Sequence, residues 1–149
     1  MANILGLKDW IVLETQRDTH NMRILAEKPV IPDVCPRCGV ENPRVYRHDS
    51  QEQAFVDCPM HGKRVAIHVV RQRWRCRECN GTFQQLLPEM DEKRNMTRRL
   101  VEYIQQRSLV RTFTEVADDV GVNEKTIRNV FREHIGQLEA KREIAARIR

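Results

Sequence analysis

The sequence has few aromatic residues, no long apolar run and no export signal, and each absence narrows the field. Aromatics make up 5% of the 149 residues, while charged residues make up 32%. So little bulky apolar material argues against one large core and for two small modules, one of them stapled by something besides burial. With no long apolar run there is no transmembrane helix, and no membrane partner is expected. Met1-Ala2-Asn3-Ile4-Leu5 offers neither the basic n-region nor the apolar h-region of a signal peptide. The expected setting is therefore a reducing cytoplasm, where an odd count of five cysteines points to metal thiolates rather than disulfides. Acidic residues are outnumbered by Lys and Arg, and the formal net charge is +5. That mild basic excess favours an acidic partner. Nothing points to a small-molecule substrate.

What is present is organised around Cys35-Pro36-Arg37-Cys38-Gly39 and its echo, Cys76-Arg77-Glu78-Cys79-Asn80-Gly81. Each two-residue spacer lets both sulfurs of a turn reach the same cation, and two such turns complete a tetrahedral site. The glycines are expected to supply the tight backbone under the metal. The sequence thus predicts one structural Zn2+ held by Cys35, Cys38, Cys76 and Cys79, in a zinc ribbon. Four thiolates leave no open position for water, so the metal has no catalytic role. The plainer alternative is two redox or structural Cys-x-x-Cys pairs. Cys58-x-x-His61 is a further ligand-like pair, able to replace one turn or to help hold a second zinc with His48 or His68. Otherwise Cys58 is a small buried hydrophobe.

Around the cysteines the pattern is that of strands. Trp10–Glu14 and Met22–Ala26, separated by Asp18-Thr19-His20-Asn21, read as a scaffold hairpin. Val45–His48 and Ala54–Asp57 read as two short strands. Arg64–Arg75 is expected to be the longest strand of the ribbon, with Arg71, Arg73 and Arg75 continuing the Val65 face at period two. From Lys63 to Arg77 there are six basic residues and no acidic one. The three arginines form either a phosphate-contacting stripe or a solvated edge kept soluble by charge; the unmixed sign favours the stripe.

Phe83–Asp91, interrupted by Pro88, reads as a linker, with the domain boundary near Met90. Beyond it the period becomes helical. Leu100, Val101 and Ile104 share a face behind a Thr97 cap. Thr112-Phe113-Thr114-Glu115 fits a capping box, with Phe113, Val116, Ala117 and Val120 inward and Gly121 ending the helix. Asn123 caps a third helix from Glu124, with Ile127, Val130 and Phe131 inward. Helix, Gly-containing turn, helix is the helix-turn-helix pattern, in which a small residue such as Ala117 lets the helices cross closely. Its outward residues Glu124, Lys125, Thr126, Arg128, Asn129 and Arg132, with Thr112 at the start of the preceding helix, suit base edges and phosphates. The bland alternative is a three-helix packing unit with a solvated face. His134–Arg149 continues as a charged helix ending in an exposed tail. The expected fold class is α+β: a small β-rich zinc ribbon with an N-terminal hairpin over residues 1–90, then an all-α helix-turn-helix domain over 91–149.

These residues carry a resemblance. Cys35-Pro36-Arg37-Cys38-Gly39, Val56-Asp57, His61-Gly62-Lys63, Arg73-Trp74-Arg75-Cys76, Cys79, Thr82-Phe83, Thr97-x-Arg99-Leu100 and Phe113-x-x-Val116-Ala117-x-x-Val120-Gly121-Val122 follow one another as in bacterial transposases of the ISL-three insertion-sequence family. The similarity runs from about Trp10 to about Leu138. It implies a zinc ribbon on the four cysteines, a helix-turn-helix over Thr112–His134, and recognition of the terminal inverted repeats of an element. The family's large RNase H-like domain with its acidic triad has no counterpart before Arg149, so no enzymatic activity is expected of this chain. The expectation is a zinc-stabilised, sequence-specific double-stranded-DNA-binding protein of transposase origin in the bacterial nucleoid, alone, as a homodimer, or within a transposition or regulatory complex. Its rivals are the N-terminal part of an active transposase and a protein-interaction adaptor.

Overall fold

The computed structural model describes residues 4–148. Its strands are β1 (Ile11–Arg17), β2 (Asn21–Glu27), β3 (Val45–Met60), β4 (Lys63–Cys76), β5 (Thr82–Gln84), β6 (Met90–Asp91) and β7 (Met96–Thr97). Helices α1 (Arg98–Arg107), α2 (Phe113–Val120) and α3 (Glu124–Ile148) follow. The class is α+β, and no described helix is long and apolar enough to cross a membrane.

β1 and β2 form the expected hairpin. The Asp18 carboxylate closes its turn by accepting from the backbone N–H groups of His20 (2.8 Å) and Asn21 (2.7 Å). The strands are ordered β1-β2-β4-β3-β7-β6, with β5 also on β4. β2 runs parallel to β4 from Arg64 to Val69, and β5 takes up the same edge antiparallel from Arg73 to Arg75. Parallel pairing of a hairpin strand across a long connection leaves no local sequence signal.

Two expectations about strands are corrected. Val45–His48 and Ala54–Asp57 belong to one 16-residue strand, β3, which is longer than the 14 residues of β4. The polar stretch between them, Asp49–Gln53, read as a break. It stays in the sheet because antiparallel pairing with β4 needs no apolar side chains, and one extra β3 residue between Arg47 and Asp49 resets the phase. Phe83–Asp91 is packed rather than loose: Phe83, Leu87 and Met90 are buried, and β6 lies within this segment.

Three apolar clusters result. The largest joins Met22, Ile24 and Ala26 to Phe55, Val65, Ile67 and Val69, under Leu5, Trp10, Leu87 and Met90. The second gathers Met96, Leu100, Ile104, Val116, Val120, Ile127 and Val130, with Val56 and Cys58 of the sheet packed against it. The third, at the cysteine end, is only Cys35, Trp74, Cys76 and Phe83, flanked by Val40 and Val45. β4 serves two of them with opposite faces. Val65, Ile67, Val69 and Arg71 are buried on one side, then Gln72, Trp74 and Cys76 on the other.

Candidate metal centre and nucleic-acid interface

The two cysteine turns repeat one backbone pattern. In the first, Gly39 N–H donates to Cys35 C=O (2.8 Å) and Cys35 N–H to Val40 C=O (3.1 Å). In the second, Asn80 N–H donates to Cys76 C=O (2.8 Å) and Cys76 N–H to Gly81 C=O (3.0 Å). The left-handed position is Gly39 in one turn (φ 73°) and Asn80 in the other (φ 60°), asparagine being a residue that tolerates this region. Gly81 is glycine for another reason. A Cβ there would lie 2.6 Å from Cδ of Arg37, whose Nε donates to Thr82 C=O (2.6 Å) beside the cluster.

The four sulfurs converge, all within 4.8 Å of one another. Cys35 Sγ lies 3.8 Å from Cys79 Sγ, and Cys38 Sγ 3.9 Å from Cys76 Sγ. A tetrahedron with Zn–S bonds of about 2.3 Å has S···S edges of about 3.8 Å, so the donor set fits zinc in size as well as chemistry. These are contacts between turns, at twice a disulfide's length of about 2.0 Å, which is how a shared cation differs from two redox pairs. The thiols are also electrostatically divided. The Cys38 backbone N–H, followed by that of Arg37, lowers Cys35 to about 7. At Cys38 the Val40 N–H pulls downward, but burial and the three neighbouring sulfurs outweigh it and push the thiol up to about 12. Clustered thiolates repel, and a divalent cation relieves that repulsion.

Cys58 takes no part. It is half-buried against the helical cluster, and burial, with the Asp57 charge, pushes its thiol up to about 11. His61 is exposed at the β3–β4 turn with φ 52°, and His68 Nδ1 sits 3.0 Å from Glu52. Among the described residues, the metal-competent group is the four cysteines.

The arginine stripe is corrected at one position. Arg71 is 5% exposed and fully engaged: its Nε and Nη2 donate to Gln85 C=O (2.8 and 2.6 Å), and its Nη1 bonds Gln53 and pairs with Glu92. Period two holds, but the face it continues is the buried one. Arg73 is half-buried, 3.3 Å from Asp49. Arg75 is half-buried and, among the described residues, donates to Asn80 C=O (3.3 Å). Sequence reasoning counted Arg77 in the basic run but missed its pairing with Tyr46. They lie at this end, with the Arg77 guanidinium 4.6 Å from the Tyr46 ring centroid; the stacking joins residues 31 apart, so no local pattern announces it.

In the helical segment the expected caps are in place. Thr97 caps α1, and Thr112 forms a reciprocal capping box with Glu115. Gly121, at φ 76°, ends α2, and Asn123 Oδ1 accepts from Lys125 N–H (2.8 Å) at the start of α3. Phe113 and Phe131 brace α2 on α3, with ring centroids 5.5 Å apart. Ile127 and Val130 face inward, while Lys125, Arg128, Asn129 and Arg132 are exposed; Glu124 and Thr126 are half-buried. Arg128 pairs with Glu124 (2.6 Å) one turn away. The Thr112 hydroxyl is committed to its cap.

The helices are clamped to the sheet. Asp57, 1% exposed, accepts from the Thr97 hydroxyl (2.8 Å) and from Arg99 Nε (2.8 Å), and its second oxygen pairs with Arg99 Nη2. This bond raises the Arg99 pKa further. Arg64 of β4 donates to Asp118 C=O (3.0 Å) and its carboxylate (3.1 Å) on α2, and Arg94 pairs with Glu133 on α3. Sequence gave Asp57 and Arg99 no role beyond a place in the resemblance; an acid inside an apolar strand was the available signal.

Searches of curated proteins and of solved structures return no match. Two family models do match. Residues 31–79 match the zinc-finger of transposase IS204/IS1001/IS1096/IS1165, and residues 85–135 match the helix-turn-helix domain of transposase family ISL3. The first spans both cysteine turns, the second all of α1 and α2 and the packed half of α3. By these two consecutive domains, which together take up about two thirds of its length, the chain belongs to the ISL3 transposase family.

Proposed function

We propose that this zinc-stabilised DNA-binding chain reads a specific double-stranded site, such as an element end, through the first turns of α3. The observation that carries the reading is the division of that helix: Ile127 and Val130 are sealed into the helical core, leaving Lys125, Arg128, Asn129 and Arg132 exposed on the first three turns. Arginine matches the two acceptors of guanine, asparagine the acceptor and donor of adenine, and lysine a phosphate. The Glu124–Arg128 pair does not oppose this, because an exposed i,i+4 pair contributes only about 0.3–0.5 kcal/mol and exchanges readily for a base edge. Thr112 orders the start of α2 rather than donating to DNA itself.

On this reading residues 1–90 and 91–149 are two modules, the second all-α, and the chain binds DNA without cutting it. The zinc holds Cys35 and Cys76 inside the ribbon with Cys38 and Cys79 at its surface, and supplies structure only. A setting in the bacterial cytoplasm, and assembly with a second copy or a larger transposition or regulatory complex, belong to the same reading.

The test is selection from random duplexes, followed by competition between the selected site and random DNA. Arg128→Ala lowers specific binding by about 1–3 kcal/mol, roughly 5- to 150-fold, while binding to random DNA changes far less; Lys125→Ala, at a phosphate, weakens both about equally. An unchanged ratio of specific to non-specific affinity in Arg128→Ala removes α3 from the reading role. Binding that ignores salt concentration removes DNA altogether, since phosphate contacts impose a steep salt slope.

A further inference from the structure

We infer that β4 is a rigid spacer that sets a second phosphate contact, made by Arg75 and Arg77, about one turn of B-DNA away from the recognition helix. The inference rests on α3 being that helix. One end of β4 is fixed to the helices: Arg64 bonds Asp118 of α2, and a Cβ on Gly121, three residues before α3, would lie 2.8 Å from Arg64 Cδ. The other end enters the cysteine cluster at Cys76. Both register irregularities of the β3–β4 pair place the extra residue in β3, so β4 itself is uninterrupted. Arg64 to Arg75 is eleven residue steps, and at about 3.2–3.3 Å per step that is roughly 35 Å. Successive turns of B-DNA are separated by about 34–36 Å.

Rigidity is built in along the whole length. β3 flanks β4 on one edge, β2 and then β5 on the other. The buried Asp57–Arg99–Thr97 group and the Arg94–Glu133 pair fix the helices to this sheet. At the far end Arg75 stands in register between Tyr46 and Thr82, with Arg77 stacked over Tyr46. Neither arginine has an acidic partner among the described residues. Stacking fixes the plane of a guanidinium and leaves its N–H edge free for a phosphate. Arg44 and Arg73 are paired with Glu78 and Asp49, and Arg37 folds back over Gly81 beside Cys79. Arg44 and Arg73 are thus neutralised and Arg37 is turned toward the cluster, which leaves Arg75 and Arg77 for a phosphate.

The experiment is hydroxyl-radical footprinting of the zinc-loaded full chain on its selected duplex, beside the double variant Arg75→Gln, Arg77→Gln. The wild type is expected to protect two patches centred about 10–11 base pairs apart. The variant, verified to hold one zinc per chain, is expected to keep the α3 patch and lose the other, with its log–log salt slope smaller by about two. Inserting five or ten base pairs between the patches is expected to leave the second patch about 10–11 base pairs from the α3 patch, because a rigid spacer meets whichever phosphates lie at that distance and phosphates carry no sequence information. A single wild-type patch, a double variant with unchanged footprint and slope, or a second patch that moves out with the insertion overturns the spacer. Failure of the α3 reading is distinct: there the Arg128→Ala variant leaves both patches and the site preference unchanged.

Discussion

The ribbon end and the helical unit are built on opposite principles. The helical unit buries seven apolar side chains, from Met96 to Val130, and ends its helices with Thr97, Thr112, Gly121 and Asn123. The ribbon end buries two aromatic rings and two cysteines, with the other two cysteines at the surface. One region has enough apolar area to hold itself, and the other needs a cation to hold four mutually repelling sulfurs. The residues proposed to read DNA sit on the helical unit and not at the cysteine end.

Metal removal tests this contrast with the largest effect. Structural zinc contributes apparent folding free energy of order 10 kcal/mol in small zinc modules. Chelation, or Cys76→Ser, is expected to release amide protection around Cys35–Val45 and Arg73–Gln84 in hydrogen exchange, while α1 and α2 stay protected. Simultaneous loss of helical protection would show that the two regions fold as one. Next comes the joint between them. Asp57→Ala leaves the Arg99 cation and the Thr97 hydroxyl without their buried acceptor, a change expected to destabilise by about 3–5 kcal/mol, at the lower end because Arg99 reaches solvent. Urea unfolding monitored separately at Trp74 and by helical ellipticity measures it. A helical transition that shifts while the Trp74 transition stays places the cost on the helices. The α3 substitutions come third. The smallest effect belongs to Thr112→Ala, expected to cost about 1 kcal/mol through loss of the cap. Because its hydroxyl is already used, affinity for the selected duplex is expected to fall only as far as stability does; a larger fall restores Thr112 to the contact set.

Local features were the legible ones. The capping box, the Gly121 stop, the inward faces of three helices, the hairpin and the four-cysteine cluster all follow from residues within a few positions of each other or from a repeated short motif. The continuity of β3 through Asp49–Gln53 was not legible, because those five residues are polar or charged and pair through their backbones. The fate of Arg71 was not legible either. Its period-two neighbours Arg73 and Arg75 stand at the ribbon end, but the core crosses from one face of β4 to the other between Arg71 and Gln72, and no alternation rule marks such a crossing. Cys58 and His61 have ligand spacing, yet the sheet carries Cys58 to the helical core, far along β3 from the other cysteines.

By itself the sequence determined the ingredients: a tetrathiolate site, a capped pair of helices with a small-residue turn, and a basic excess. Those are set by side-chain chemistry and by backbone preferences over three or four residues. Only the tertiary structure decided which cations are free. Arg64, Arg71, Arg94 and Arg99 are drawn into the clamp and the core because acids and carbonyls distant in sequence meet them there, whereas Arg75, Arg77, Lys125 and Arg132 meet no such acid among the described residues. The distance between the two free groups likewise exists only once β4 is laid straight between the helices and the cysteines, since strand length is local but its anchorage is not.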